Sequence, residues 1–224
     1  MDMITNSLIK TKLFSGISRT DVDALFPFLN LQYKQYQKGS VLIGLNDIVD
    51  FVGIVLSGEL NIYQEDIHGH LNLIRKARAL ELFGLDIACT PTRISPFVIS
   101  CFSDTEVLTL PFDMIGSPSA IPDRFRCIML KNILELIANQ NIRQLYKIDI
   151  LSKKSLRERI MLYLLLQAKR KKTNDLLLPF NREEFAAYLC VDRSALSREL
   201  GRMQNEGLIT YNKNRFRILS DQAD

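Results

Sequence analysis

The stretch NREEFAAYLCVDRSALSRELGRMQNEGLITYNKNRFRI, Asn181–Ile218, decides the fold. It reads as two short helices joined by a tight turn and followed by a small hairpin. Asn181 is placed to cap the first helix, with Glu184 as its capping-box partner. Phe185 and Leu189 give that helix an apolar face, and Ala186 is small enough to let a second helix cross closely. Cys190-Val191 forms the turn, and Asp192 is the predicted cap of the second helix. There Leu196, Leu200 and Met203 recur at i, i+4 and i+7, the spacing of one buried face. The opposite stripe is Arg193, Ser194, Ser197, Arg198 and Gly201. Basic and hydroxyl groups one turn apart are what a helix needs to reach base edges and phosphates. Gly207 is placed to end the helix as a C′ glycine. Leu208–Tyr211 and Arg215–Ile218 then alternate as two strands around Asn212-Lys213-Asn214. This order predicts a winged helix-turn-helix, against the plainer alternative of a helical hairpin in an unrelated fold.

The rest of the chain sets limits on that reading. A length of 224 residues allows one large or two small domains, each able to bury a core. No apolar run approaches the roughly 20 residues that span a bilayer, and no signal-like segment opens the sequence, so a cytoplasmic protein with no membrane partner is expected. Cys89, Cys101, Cys127 and Cys190 form no CxxC pair and read as thiols. The net charge of +4 is unevenly placed. Residues 1–151 carry 14 Lys/Arg against 16 Asp/Glu, net −2, and residues 152–224 carry 15 against 9, net +6. A basic segment joined to a slightly acidic one fits a polyanion binder with a separate control module.

Upstream, residues 1–29 look helical, with Ser18 capping a short helix that ends near Pro27. From Leu31 to Phe112 the texture is short β-branched and aromatic runs between turn residues. Strands are expected near Val41–Ile43, Phe51–Leu56, Glu59–Tyr63, Leu71–Lys76, Phe97–Phe102 and Glu106–Pro111. Their even spacing predicts an antiparallel roll or barrel around a small pocket suited to a ligand. Pro118 to Pro122 is a break. Beyond it, Asp123 to about Asp149 is free of Gly and Pro, and Leu130, Leu134, Ile137, Asn141, Leu145 and Ile148 repeat at near coiled-coil spacing. That helix pairs with a second copy, with Asn141 fixing register, or packs on its own domain. A further helix is expected over Ser152–Lys172, its basic flank serving phosphate contact or simple solvation. The fold class is therefore α+β: an N-terminal antiparallel β-roll (1–117), a long dimerisation helix (118–151) and a C-terminal winged helix-turn-helix (152–224).

In that order the whole chain resembles the CRP/FNR family of bacterial transcription regulators. In the roll the resemblance is carried by Lys38-Gly39-Ser40-Val41-Leu42, Asn46-Asp47 and Ile54-Val55-Leu56-Ser57-Gly58-Glu59-Leu60. At the other end it is carried by Leu189-Cys190-Val191-Asp192-Arg193-Ser194-Ala195-Leu196-Ser197-Arg198-Glu199-Leu200. The resemblance places an effector pocket near Leu82, Phe83, Gly84, Leu85, Ser95, Phe97, Gln144 and Leu145, and these apolar residues would equally suit a plugged pocket. Members of the family that bind cyclic AMP have Phe-Gly-Glu and then an Arg-Ser or Arg-Thr pair. Here Phe83-Gly84 is followed by Leu85, the pair is replaced by Ser95-Pro96, and Arg93 is out of register. Cyclic AMP is thus not expected. An iron–sulfur cluster is not expected either, since no cysteine precedes Cys89. His68 and His70 read as a solvated turn rather than metal ligands, no metal is assigned, and no nucleophile–base constellation points to an enzyme.

The expected function is that of a homodimeric, sequence-specific transcription regulator. An unidentified small molecule or redox signal at the roll would set two recognition helices against a palindromic double-stranded operator, with RNA polymerase as a further partner. Arg193 is the first choice for a base contact, Arg198 for base or phosphate, and Ser194 and Ser197 for an edge or a phosphate. Lys213, Arg215 and Arg217 are expected on backbone phosphates, and Arg202 is a further expected DNA contact. The rival classes are a ligand-binding module without a DNA role and an enzyme with a fused regulatory roll.

Overall fold

A computed structural model describes residues 2–116 and 121–219. Of the predicted break, residues 118–120 lie outside the described residues. The chain forms two compact units, Met1–Asn139 and Gln140–Asp224.

The first unit begins with α1 (Asp2–Leu8) and α2 (Arg19–Leu25). The Ser18 hydroxyl accepts the Asp21 amide as the expected N-cap. Eight strands follow: β1 (Gln32–Tyr36), β2 (Val41–Ile43), β3 (Phe51–Ser57), β4 (Glu59–Glu65), β5 (Leu71–Arg78), β6 (Leu82–Phe83), β7 (Val98–Cys101) and β8 (Thr105–Pro111). They form two antiparallel sheets, ordered β1-β8-β3-β6 and β2-β7-β4-β5. Strand alternation decides which core each side chain enters. On β3, Val52 and Ile54 point to one side and Val55 to the other; on β8, Leu108 and Leu110 oppose Val107 in the same way. One core lies within the roll, built on Ile43, Val55, Leu60, Ile62, Phe83, Ile99 and Val107. The other lies outside the first sheet, where Leu8, Leu13, Phe14, Val22 and Leu25 cover it.

Four elements here depart from expectation. β1 has no apolar alternation, since its side chains are largely exposed, and it joins the sheet as an edge paired only to β8. β6 is two residues long, below any periodic signal. The single-turn helices α3 (Leu85–Ala88) and α4 (Asp113–Gly116) fall where the sequence pattern marks no element.

Helix α5 runs without interruption over Asp123–Ser152. In the first unit Phe125, Met129 and Ile133, at i, i+4 and i+8, bury into the outer core. Asn132 is buried beside them and donates to the carbonyls of Leu13 (2.9 Å) and Ser15 (2.8 Å).

The second unit contains α6 (Leu156–Lys171), α7 (Arg182–Tyr188) and α8 (Arg193–Asn205), with β9 (Asp175–Leu177), β10 (Ile209–Asn212) and β11 (Arg215–Ile218). Its sheet is antiparallel, ordered β10-β11-β9. The predicted start of α6 at Ser152 is corrected. Ser152 is the last residue of α5, and α6 begins after Ser155, which forms a full capping box with Glu158. A cap with a reciprocal partner outcompetes a serine that has none. The core unites Ile150 from the end of α5 with Ile160, Tyr163, Leu164, Leu176, Phe185, Leu196, Leu200, Met203, Ile209 and Phe216. Among the described residues no helix is long and apolar enough to cross a membrane.

Candidate nucleic-acid interface

The local chemistry of α7 and α8 fixes the reading head. The Asn181 side chain accepts the Glu184 amide at 2.9 Å, and Glu184 Oε2 accepts the Asn181 amide at 3.0 Å. At the far end of α7, Val191 donates to the Ala186 carbonyl and Cys190 to that of Ala187, a Schellman closure. Cys190 takes the left-handed position of that motif, with φ of 55°. Leu196, Leu200 and Met203 are fully buried, so the opposite side of α8 is turned outward. Arg193, Ser194, Ser197 and Arg198 are all exposed, and neither arginine forms an ion pair among the described residues. Helix α8 ends in a second Schellman closure, Leu208 to Met203 and Gly207 to Gln204, with Gly207 at φ of 72° as expected. Asp192 occupies the N-cap position, but its side chain makes no capping bond.

The wing turn is held from below by a residue that the sequence reading did not single out. Arg182, the first residue of α7, donates to the Lys213 carbonyl at 3.2 Å. Its guanidinium lies over the rings of Tyr211 (4.9 Å) and Phe216 (5.6 Å). Burial pushes its pKa down, and the charge of Arg193 adds to that shift, so the two guanidiniums lie within electrostatic reach. The available signal was its position: a cation at a helix N-terminus opposes the helix dipole and needs another reason to be there.

The remaining basic residues divide. Lys213 is exposed at the tip of the wing, with φ of 54°. Arg215 and Arg217 lie on the outer face of the sheet. There, with Thr210, Asn212, Asp175 and Leu177, they line an open hollow of about 470 Å³. Arg217 Nε is 3.6 Å from Asp175 Oδ1. Arg202 is exposed but turned toward Glu199, 3.5 Å away. Lys171 donates to the Leu177 carbonyl, while Lys169, Arg170 and Lys172 are exposed around it.

In the roll, the residues assigned to an effector pocket enter two different cores. Phe83 and Phe97 pack within the roll, whereas Leu82 and Leu85 join the outer core. The Phe83 ring lies against Gly53, where a Cβ would meet it at 2.1 Å, and Phe51 meets it edge-on at 6.3 Å. Gly84 has φ of 74° and precedes α3. Ser95 is fully buried, and its hydroxyl donates to the Phe97 carbonyl (2.8 Å) and accepts the Phe97 amide (3.2 Å). Arg93 is bound by both oxygens of Asp113, at 2.6 and 3.3 Å. Gln144 and Leu145 are exposed and belong to the second unit. His68 and His70 sit at the β4–β5 turn, their backbone N–H groups donating to Asp66. Among the described residues no group of three or more His, Cys, Asp or Glu is placed to hold a metal.

A capped helix pair, an outward basic and hydroxyl stripe and a wing are the parts of a DNA-binding domain, and residues 158–223 match the model of the Crp-like helix-turn-helix domain. The protein is thus a DNA-binding transcription regulator, a role that requires no catalysis. Over 209 residues it is 26% identical to the transcriptional activator protein FnrA of Stutzerimonas stutzeri, covering 91% of this chain and 83% of that protein. The fold is shared with the catabolite activator protein of Thermus thermophilus, with TM-score 0.55, 21% identity and 93% of each chain covered. It is shared equally with the c-di-GMP-responsive global regulator CLP of Xanthomonas campestris, with TM-score 0.58, 16% identity, and 90% and 99% of the two chains covered. In its helix-turn-helix, and in its fold over most of its length, the chain is similar to regulators of the CRP/FNR family.

Proposed function

We propose that the protein acts as a homodimer in the cytoplasm, joined along α5 and reading a palindromic operator with two copies of α8. The observation that carries this reading is the uncovered apolar seam of α5. Leu134, Ile137, Leu145 and Ile148 are 69%, 38%, 57% and 64% exposed, and Ile142 and Tyr146 beside them are about half exposed. Water-facing Leu and Ile at seam spacing on a helix that leads into a DNA-binding unit gain stability when a second copy covers them. Leu130 is half-buried against its own core and marks the upper end of the seam, with Asn141 exposed in its middle.

In this reading residues 1–117 sense, 118–151 join the subunits and 152–224 bind DNA. Arg193 and Arg198 read base edges, Ser194 and Ser197 an edge or a phosphate, Lys213, Arg215 and Arg217 hold phosphates with Arg202 as a further DNA contact, and Arg182 supports the wing. The effector is a small molecule or a redox change at the roll, and RNA polymerase is the downstream partner. The residues present do not fit a cyclic nucleotide. Arg93, close to the cassette in sequence, is taken by Asp113, the ring of Phe83 fills the space over Gly53, and the Ser95 hydroxyl is already bonded.

Sedimentation equilibrium tests the dimer. The wild type is expected at twice the 25.7 kDa chain mass. Leu134→Glu/Leu145→Glu is expected at the chain mass, with loss of a two-half-site footprint on DNA. A double variant that remains dimeric would remove α5 as the joining surface.

A further inference from the structure

We propose that Arg157, which lies outside the DNA-facing stripe, is a positioning residue that sets the pose of α8 and so its choice of sequence. The inference rests on α8 being the DNA reader. Arg157 is near the start of α6, and its Nε donates to Glu199 Oε1 at 2.7 Å. Its Nη1 and Nη2 donate to Glu206 Oε2 and Oε1 at 2.6 and 2.9 Å. Glu199 is in the middle of α8 and Glu206 is its C-cap residue, so side chains rooted about two helical turns apart converge on one guanidinium.

That arrangement is restrictive. The guanidinium is planar and its donors are fixed in direction, so one arginine satisfies both carboxylates only at one rotation and one height of α8 relative to α6. The apolar side of α8 imposes no such condition. Leu196, Leu200 and Met203 hold the helix to the core by a force that is largely non-directional. The apolar face therefore keeps α8 on the core, and Arg157 sets where along and around its axis it comes to rest.

The same contact disposes of negative charge. Glu199 is the one carboxylate within α8, it is only 14% exposed, and Arg202 also approaches it at 3.5 Å. Without Arg157, Glu199 and Glu206 would both turn to Arg202, at i,i+3 and i,i+4 spacing. Two acids would then share one arginine, leaving a net negative charge on a helix that approaches a polyanion.

The test uses the full-length protein and a duplex recovered by the wild type from a random-sequence library. A second duplex has both half-sites scrambled. The readout is the ratio of the two dissociation constants at one salt concentration, by fluorescence anisotropy. Arg157→Ala is expected to lower that ratio about tenfold, the scale of one mispaired position. Arg157→Lys, which keeps charge and stem but loses the fork, should lower it about threefold and guards against a folding defect. Glu199→Gln/Glu206→Gln should lower the ratio as Arg157→Ala does, and combining all three should bring no further loss. Lys154→Ala removes a nearby exposed charge and should weaken both duplexes alike, leaving the ratio unchanged. A folded Arg157 variant with the wild-type ratio, or losses that multiply in the triple variant, overturns the inference while leaving α8 as the reader. A wild type with no preference between the duplexes overturns the reading of α8 and the inference together.

Discussion

Adding a single methyl group at Gly53 should unseat the interior of the roll. Gly53 is on β3, directly across from Phe83 on β6. A Cβ there would lie 2.1, 2.2 and 2.5 Å from three atoms of the Phe83 ring. Carbon atoms in contact sit about 3.5–4.0 Å apart, so the ring must retreat by more than about 1 Å. Phe83 is 1% exposed and has Phe51 against its edge, which leaves it nowhere to go without displacing its neighbours. Overpacking of this kind costs about 1–3 kcal/mol, and so severe an overlap belongs at about 3 kcal/mol or above. Phe83→Ala alone should cost about 4 kcal/mol, through lost burial and the cavity left behind. If the two sites were independent, the double variant would lose about 7 kcal/mol. The methyl at position 53 instead occupies part of the space that the ring vacates, so a loss of about 4–5 kcal/mol is expected, with coupling of about 2–3 kcal/mol. Because the chain has two units, global unfolding is a poor measure. Native-state hydrogen exchange of peptides from β3 and β8 reads the roll alone. Additive losses, or a Gly53→Ala variant as stable as the wild type, would refute this account of a roll closed by Phe83.

Other outcomes follow from the geometry of both units. Arg193→Ala should cost about 1–3 kcal/mol of discrimination at one operator position, whereas Lys213→Ala should weaken all sequences alike and reduce the salt slope by about 1. Anisotropy titrations over a salt series separate the two. Cys190→Gly should stabilise the second unit by about 0.5–1 kcal/mol, because Cys190 sits at φ of 55° in an exposed turn, and a thermal melt that shows no rise would deny that strain. Asp113 should titrate below the ordinary carboxylate range, because the Arg93 guanidinium holds its charged form. Its contribution to stability is then complete above the unfolded value near about 3.9 and is lost as pH falls through the lower folded value. Carboxyl NMR should show that midpoint rising toward the ordinary value in Arg93→Ala.

What could be read in advance was whatever the chain states locally. Asn181 with Glu184, Gly207 and the Leu196–Leu200–Met203 spacing each lie within one or two turns of helix, and each element formed where those signals put it. The apolar repeat of α5 likewise needs only a helix to express it. Ser152 misled because an isolated serine looks like any other cap, and only the reciprocal bond of Ser155 with Glu158 separates them. Contacts between distant positions left no trace. Arg157 is 42 residues from Glu199 and 49 from Glu206, and Arg182 is 31 from the Lys213 carbonyl it holds. Each looked like one more solvated charge until the fold returned a partner to it. Ser95 is the reverse case, a candidate ligand whose hydroxyl is spent on its own loop.

The buried Asn132 has a consequence for how the chain is made. It joins α5 to the carbonyls of Leu13 and Ser15, 119 and 117 residues earlier, and Phe125, Met129 and Ile133 complete the same core. On a ribosome, the opening helices and every strand of the roll are therefore extruded before the residues that seal them. At about 5–20 residues per second the apolar faces of α1 and α2 wait several seconds for the start of α5. The interval ends when the segment that begins the long helix emerges, so the first unit is closed by its last residues, before the reading head has been synthesised.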